Sequence, residues 1–316
     1  MNTTMTTKKK RRMTLEWRST ISLSMLTIPA IVWFIVFCYI PMFGIIIAFK
    51  DFDYARGIFG SDWCGWDNFM YLFKSNDAFR ILRNTICYNA VFIVLGTFSA
   101  IGFALMLDAV KSKALVKFTQ TTIFLTYFIS WVVVAFVTQQ MFSLNNGAMN
   151  ALIEAFGGEK ISWYTNTKPW PYILFIANLW KGIGFNTIVY YGSILGIDAT
   201  LYEAAKIDGA NGRQCITKIT LPMLKPTITI LFIMSIGSIL RADFGLFYYI
   251  PNNQGPLYPV TDVIDTYIYR ALKVSGDLTG SSAASFVQSV FGLILTCTVC
   301  PLNDKRIQYI HSKGIL

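Results

Sequence analysis

Apolar residues come in long blocks along this chain. No charged side chain occurs over residues 19–49, 84–107, 118–153 or 278–303, and each block exceeds the roughly 20 residues that carry a helix across about 30 Å of hydrocarbon. Two further blocks are interrupted: 170–197 contains Lys181, and 226–247 contains Arg241 and Asp243 toward its far end. The pattern predicts six membrane-spanning helices. The blocks are too long and too evenly apolar for the alternating strands of a barrel, and in lipid a helix satisfies its own backbone. The expected class is an all-α polytopic membrane protein.

Composition agrees. Of 316 residues, 54% are hydrophobic, 16% aromatic and 14% charged, against about 25% charged in soluble domains. The basic run "KKKRR" ahead of the first block has the look of a secretory leader, but the block is longer than an h-region of about 7 to 15 residues and no small-x-small site closes it. A retained helix is expected.

Basic residues gather at Lys8–Arg12 and Arg18, at Lys111, Lys113 and Lys117, at Lys206, Arg213, Lys218 and Lys225, and at Lys305, Arg306 and Lys313. The loop after the first block instead carries Asp51, Asp53, Asp62, Asp67 and Asp77. The positive-inside bias then puts both termini in the cytoplasm. It also accounts for the net charge of +10 without a nucleic-acid partner. The expected organisation is a basic cytoplasmic segment 1–18, a six-helix membrane domain 19–303 with a cytoplasmic loop at 198–225, and a cytoplasmic tail 304–316.

Candidate chemistry is sparse. Cys297 and Cys300 form a C-x-x-C at the end of a span, without the electropositive, partly exposed helix start that a redox thiolate needs. Only Cys64 lies in an outer loop, which excludes a disulfide framework. "DFD" at 51–53 resembles a metal-binding D-x-D, but faces the side where nucleotide sugars are absent. Gly182 and Gly184 in "WKGIGFN" suit close helix packing through small residues better than a dinucleotide fingerprint. The one histidine, His311, lies in the tail, so zinc or Ser-His chemistry has no base in the membrane. No Walker A pattern occurs. No metal or cofactor is expected in this chain, and any ATP and Mg is bound by another.

The most water-compatible internal stretch is 201–222, between the fourth and fifth blocks. Asp198 is placed to cap a helix starting at Ala199, and Gly209 to end it. About ten residues make a helix that is marginal alone in water. Ala204 and Ala205 leave its surface open to close approach, with Glu203 and Lys206 beside them. A second short turn follows Gly209, and Pro222 and Pro226 punctuate the entry to the fifth span. A helix-turn-helix at the inner surface results; an ordinary amphipathic connector has the same composition.

The run "EAAKIDGANGRQCITKITLP" is similar to the signature of permease subunits of bacterial ABC importers: E-A-A, three residues, Gly, nine residues, Ile, one residue, Leu-Pro. Glu203, Ala204, Ala205, Gly209, Ile219, Leu221 and Pro222 fit it, with Asp208 just before the glycine. "IPAIVWFIVFCYIPMFGIIIAFKDF", "YFISWVVV", "GFNTIVYYGSILGIDATLYEAAKIDGA" and "TDVIDTYIYRAL" resemble the sugar-importer permeases, the oligosaccharide and aldouronate group in particular. Thr126 stands where that group often has proline, which predicts a straighter third span. The ending "CTVCPLNDKRIQYIHSKGIL" departs from the group.

The resemblance implies the type I importer (MetI-like) fold in the bacterial cytoplasmic membrane. It implies a non-enzymatic permease paired with a second, homologous permease and with two cytoplasmic ATPases that bind ATP and Mg. An extracytoplasmic binding protein delivers an oligosaccharide, and the short helix near Glu203 docks on the ATPase.

A sugar path needs ring platforms and a few hydrogen-bonding groups. The fourth block offers Asn178, Trp180, Lys181, Asn186, Tyr190 and Tyr191. Asn178 and Lys181, and Asn186 and Tyr190, share local faces. A charge within a span marks a cavity, a partner or an interface, so Lys181 is a candidate for each. On a helix, Arg241 and Asp243 point apart. Two rivals need no ATPase: a stand-alone secondary transporter or channel, and a membrane-embedded enzyme, the latter lacking a convergent catalytic set.

Overall fold

The computed structural model describes residues 24–312, and beyond 298 the backbone alone. The basic run at 8–12, the segment 1–18, the start of the first span and the last four tail residues lie outside the described residues. The chain divides into two compact units, one ending at Asn68 and one beginning at Phe69.

The first unit carries helix α1, Ser24–Phe49, with a π turn at Ile35–Tyr39 and a 3-10 ending at Phe43–Phe49. A short antiparallel hairpin follows, β1 (Lys50–Asp51) with β2 (Asp62–Trp63), Lys50 opposite Trp63. Its loop is closed by the Lys50 ammonium, which donates to the carbonyls of Ile58 at 2.8 Å and Ser61 at 3.2 Å. Asn68 donates to the carbonyls of Ala48 and Lys50 at 3.0 Å. In the D-x-D, Asp53 accepts from the Ala55 amide at 2.8 Å and lies 3.6 Å from Arg56, so that carboxylate serves the loop itself.

Helix α2, Asp67–Lys74, leads onward. The second unit is built on α3 (Asn76–Ala109), α4 (Lys113–Phe128), α5 (Trp131–Phe142), α6 (Ala148–Ala155), α7 (Trp170–Leu195) and α8 (Ala199–Ile207). It continues with α9 (Gly212–Gly237), α10 (Phe244–Tyr249), α11 (Ile264–Lys273) and α12 (Leu278–Ser312). Serines start three of the long helices: Ser75, Ser112 and Ser130 each accept an amide of the following first turn, the usual N-cap arrangement.

Among the described residues, α1, α3, α7, α9 and the start of α12 are each long and apolar enough to cross a membrane, and α4 and α5 taken together are long and apolar enough for a sixth span. The third span is not straightened by Thr126. Its halves meet at 92°, with the break at Ile129 and Ser130. The fifth span is also shifted from the sequence expectation of 226–247. It starts as α9 at Gly212, holds Pro226 inside the helix, and stops at Gly237.

Two apolar clusters organise this unit. One gathers Trp170 and Leu174 of α7 with Leu246 and Phe247 of α10, Ile250, Leu257 and Val263. The other joins Ala100 and Ala104 of α3 to Tyr190 and Ile194 of α7 and Leu224 of α9. Ala100 and Ala104 are four apart on one helix face, so two methyl groups let α7 approach the α3 backbone, where dispersion does the packing that water cannot drive in lipid.

A buried ionic cluster holds the loop between α10 and α11. Asp262 is enclosed and accepts from Arg80 at 3.1 Å, Arg270 at 2.6 Å and Thr266 at 2.8 Å. The backbone beside it is fixed by Asn84, whose amide donates to the Asp262 carbonyl at 3.0 Å.

The two glycines of "GIG" separate. A side chain on Gly184 would collide with the Ile123 carbonyl of α4, whereas Gly182 faces open space. Gly184→Ala is expected to lower the thermal midpoint of the detergent-solubilised protein, on the scale of about 1 to 3 kcal/mol for overpacking, and Gly182→Ala to leave it unchanged. Equal midpoints for the two variants would contradict the α4–α7 contact.

Candidate functional site

Helix α8 begins where Asp198 accepts the amide of Thr200 at 2.9 Å. That bond, with a further one from the Thr200 side chain, holds the Asp198 carboxyl below its usual range. A carboxylate stabilised in the fold gives its cap above the ordinary carboxylate pKa and loses it as pH falls through the lowered value. The helix stops at Ile207, and Gly209 turns the chain with φ +79°, a left-handed conformation that suits glycine at a helix end.

A second start follows at once. Asn211 and Gln214 exchange side-chain and backbone hydrogen bonds at 2.9 and 2.8 Å, a capping box. Helix α9 then runs through a π turn at Ile216–Thr220. The hydroxyls of Tyr202 and Thr220 lie 2.9 Å apart, tying α8 to α9 at that turn.

Glu203, Ala204, Asp208 and Gly209 are exposed on this helix-turn-helix, and Ala205, Ile219, Leu221 and Pro222 are half-buried against it. Ile207 is 88% exposed. It lies three residues from Ala204 and four from Glu203, so the three share one face of α8. Sequence reading passed over Ile207; the signal was an aliphatic residue directly before the Asp-Gly that ends a short polar helix.

The second region lies where the membrane helices break. The Lys181 ammonium of α7 donates to the carbonyl of Tyr127 at 2.8 Å and to that of Ile129 by a shorter bond. It sits 5.8 Å from the Tyr127 ring centre and 5.2 Å from that of Trp131. The Thr126 hydroxyl shares the job, reaching the Ile123 carbonyl at 2.8 Å and the Trp180 carbonyl at 3.2 Å. A positive charge therefore covers the carbonyl end of α4, where the helix dipole favours it.

After α9 the chain is non-helical from Ser238 to Asp243, so Arg241 and Asp243 are not on a common helix. Four of the backbone groups there are bonded by side chains. Asn89 of α3 donates to the carbonyls of Ile239 at 2.7 Å and Arg241 at 3.0 Å. Gln288 of α12 donates to Leu240 at 2.7 Å, and Asp265 of α11 accepts the Ala242 amide at 2.7 Å. Asp243 caps α10 through Gly245 at 2.9 Å, and its other oxygen accepts the Trp131 indole N–H at 2.7 Å. Gly245 lies so close to Trp131 that any side chain would clash with the indole.

The two breaks are thus joined: Lys181 covers Trp131, and Trp131 is bonded to Asp243. Of the other fourth-block residues, Asn178 and Asn186 are half-buried and Trp180 is exposed. Tyr190 is 2% exposed within the α3–α7–α9 cluster. Sequence reading picked out Lys181 and Asp243 as misplaced charges but missed Asn89, Asp265 and Gln288. For Asn89 and Gln288 the available signal was an amide inside an otherwise apolar block; Asp265 had no such signal.

A family model described as a binding-protein-dependent transport system inner membrane component matches residues 93–303. A polygalacturonan/rhamnogalacturonan transport system permease protein, YteP, of Bacillus subtilis (strain 168) is 34% identical over 298 residues, covering 94% of this chain and 92% of its own. A solved chain of a bacterial ABC transporter involved in the import of the acidic polysaccharide alginate matches with a TM-score of 0.84 and 32% identity, over 93% of this chain and 99% of that one. A second, from a bacterial alginate ABC transporter in complex with an alginate pentasaccharide-bound periplasmic protein, gives 0.80 and 33% over 89% and 93%.

Lys181→Met keeps the apolar stem but strips two carbonyls of their donor. Its thermal midpoint in detergent is expected to fall, on the scale of about 1 to 3 kcal/mol for an unsatisfied group, and Lys181→Arg to recover part of the loss. A Lys181→Met protein as stable as the parent would contradict this role.

Proposed function

Because the chain belongs to the binding-protein-dependent transport system inner membrane components, we propose that it is one permease of an ATP-driven importer that carries oligosaccharides across the cytoplasmic membrane. A second, homologous permease completes the path. Two cytoplasmic ATPases bind ATP and Mg, and an extracytoplasmic binding protein delivers the sugar. Both termini and the α8–α9 turn face the cytoplasm, in line with the basic residues there.

The observation that carries the coupling role is the outer face of α8. Glu203, Ala204 and Ile207 stand together and exposed on a nine-residue helix that packing, and not its own length, must stabilise. A small residue between a charge and a bare aliphatic side chain suits close docking of a protein surface, with the isoleucine as apolar anchor. A stand-alone transporter has no use for such a face. Matches to permeases of sugar transport systems support an oligosaccharide as cargo. Asn178, Trp180, Asn186 and Tyr190 of α7 are proposed to line or shape its path, and Lys181 to act there by holding the break in the third span.

Glu203→Lys and Ala204→Trp change exposed positions and are expected to leave the fold undisturbed. In proteoliposomes holding both permeases, the ATPase and the loaded binding protein, each is expected to lower stimulated ATP hydrolysis and uptake about tenfold or more, the scale of about 1.4 kcal/mol of lost docking energy. Parental rates in both variants would remove the coupling role from α8.

A further inference from the structure

A cleft of about 430 Å³ opens between the end of α9 and α12, with Ser238, Arg241, Gln288, Ser289 and Thr296 among its lining residues. It has the size of a small-ligand site. It lies at the non-helical segment that follows α9, and irregular backbone near a membrane is tolerated where it is held by protein or borders a cavity.

Most polar groups around it are already committed. Gln288 serves Leu240 and Asp265, Ser238 bonds back to Met234 at 3.3 Å, and Thr296 to Gly292 at 2.9 Å. The two nearby carboxylates are spent as well: Asp265 on Ala242 and Gln288, Asp243 on Gly245 and Trp131. Arg241 is exposed, and among the described residues its guanidinium makes no hydrogen bond or ion pair. Its charge reaches Asp265 only through space.

Arg241 differs in this from Lys181. Both are cations in predicted spans, but Lys181 is held by two carbonyls and two rings, whereas Arg241 has a free five-donor fork on a fixed backbone. Asn89, Gln288 and Asp265 pin the backbone of residues 239–242 on both sides, so the fork is presented from a fixed backbone. A planar fork matches a carboxylate with two parallel hydrogen bonds, and an unpaired cation beside lipid is costly until water or an anion meets it.

Resting on the sugar-permease reading above, we propose that Arg241 recognises the carboxylate of uronate sugars in this cleft and sets the permease's preference for acidic oligosaccharides. The Ser289 hydroxyl on the facing wall is available to a sugar hydroxyl.

The test uses the complete importer in proteoliposomes with labelled trigalacturonate, its methyl ester and a neutral galactotriose. Rates in each variant are divided by the parental rate for the same sugar, which cancels selection by the binding protein. Arg241→Gln is expected to lower trigalacturonate uptake about ten- to a hundredfold, the scale of a charge-assisted hydrogen bond, while ester uptake stays within about twofold by the same conversion. Arg241→Lys, which keeps the charge but loses the fork, is expected to fall between.

Equal loss for the acid and the ester in both variants, or no loss for the acid, overturns the assignment. So does a parental importer that carries the neutral sugar and not the acid. A parental importer that carries none of the three removes the sugar reading itself and the inference with it.

Discussion

An amide or carbonyl left without a partner in hydrocarbon costs several kcal/mol, and this chain breaks its backbone twice, within the third span at Ile129 and Ser130 and after the end of α9. The architecture of the second unit follows from how those breaks are satisfied. At the first, the carbonyls released at Tyr127 and Ile129 are taken by Lys181, reaching from α7. At the second, the carbonyls of Ile239, Leu240 and Arg241 and the amide of Ala242 are taken by Asn89, Gln288 and Asp265 from three different helices. Trp131 and Asp243 link the two repairs. The breaks therefore fix the register of α3, α4, α7, α11 and α12 against one another, which apolar packing alone, being non-directional, does not.

The rest of the unit is consistent with that demand. Small residues sit where backbones must approach: Ala100 and Ala104 under α7, Gly184 against α4, Gly245 against Trp131. Polar side chains sit where backbones are unwound. The α8 face, by contrast, is built from a cap at Asp198 and a turn at Gly209 that owe nothing to the membrane, and it stays open. It connects to α9 through Tyr202 and Thr220, and α9 ends at the unwound segment carrying Arg241. Through that contact α9 connects the proposed docking face of α8 to the proposed sugar cleft.

The membrane blocks, the cap at Asp198 and the stop at Gly209 were legible because each rests on local chemistry: an apolar run, a short acceptor side chain, a residue free to turn left-handed. The breaks were not. In "FLTYFISWVVV" the one local signal of a break is Ser130, which caps α5, and the absence of proline at Thr126 pointed the wrong way. The donor that takes the freed carbonyls, Lys181, lies more than fifty residues distant along the chain. For the same reason Arg241 and Asp243 were set on a helix that the structure does not form, and the fifth span was placed from 226 where α9 starts at Gly212. Long-range donors are what a periodicity argument cannot see.

If the unwound backbone borders a water-filled path, a thiol placed there must ionise and react, while one facing lipid must not. The direct measurement is labelling of Ser238→Cys by a charged, water-soluble thiol reagent in membrane vesicles, with Phe98→Cys on the exposed apolar surface of α3 as comparison and the native cysteines replaced first. Rapid labelling at 238, slowed by a transported sugar, with none at 98, is the expected result. An unreactive thiol at 238, or equal reaction at the two positions, would contradict a hydrated path at the breaks.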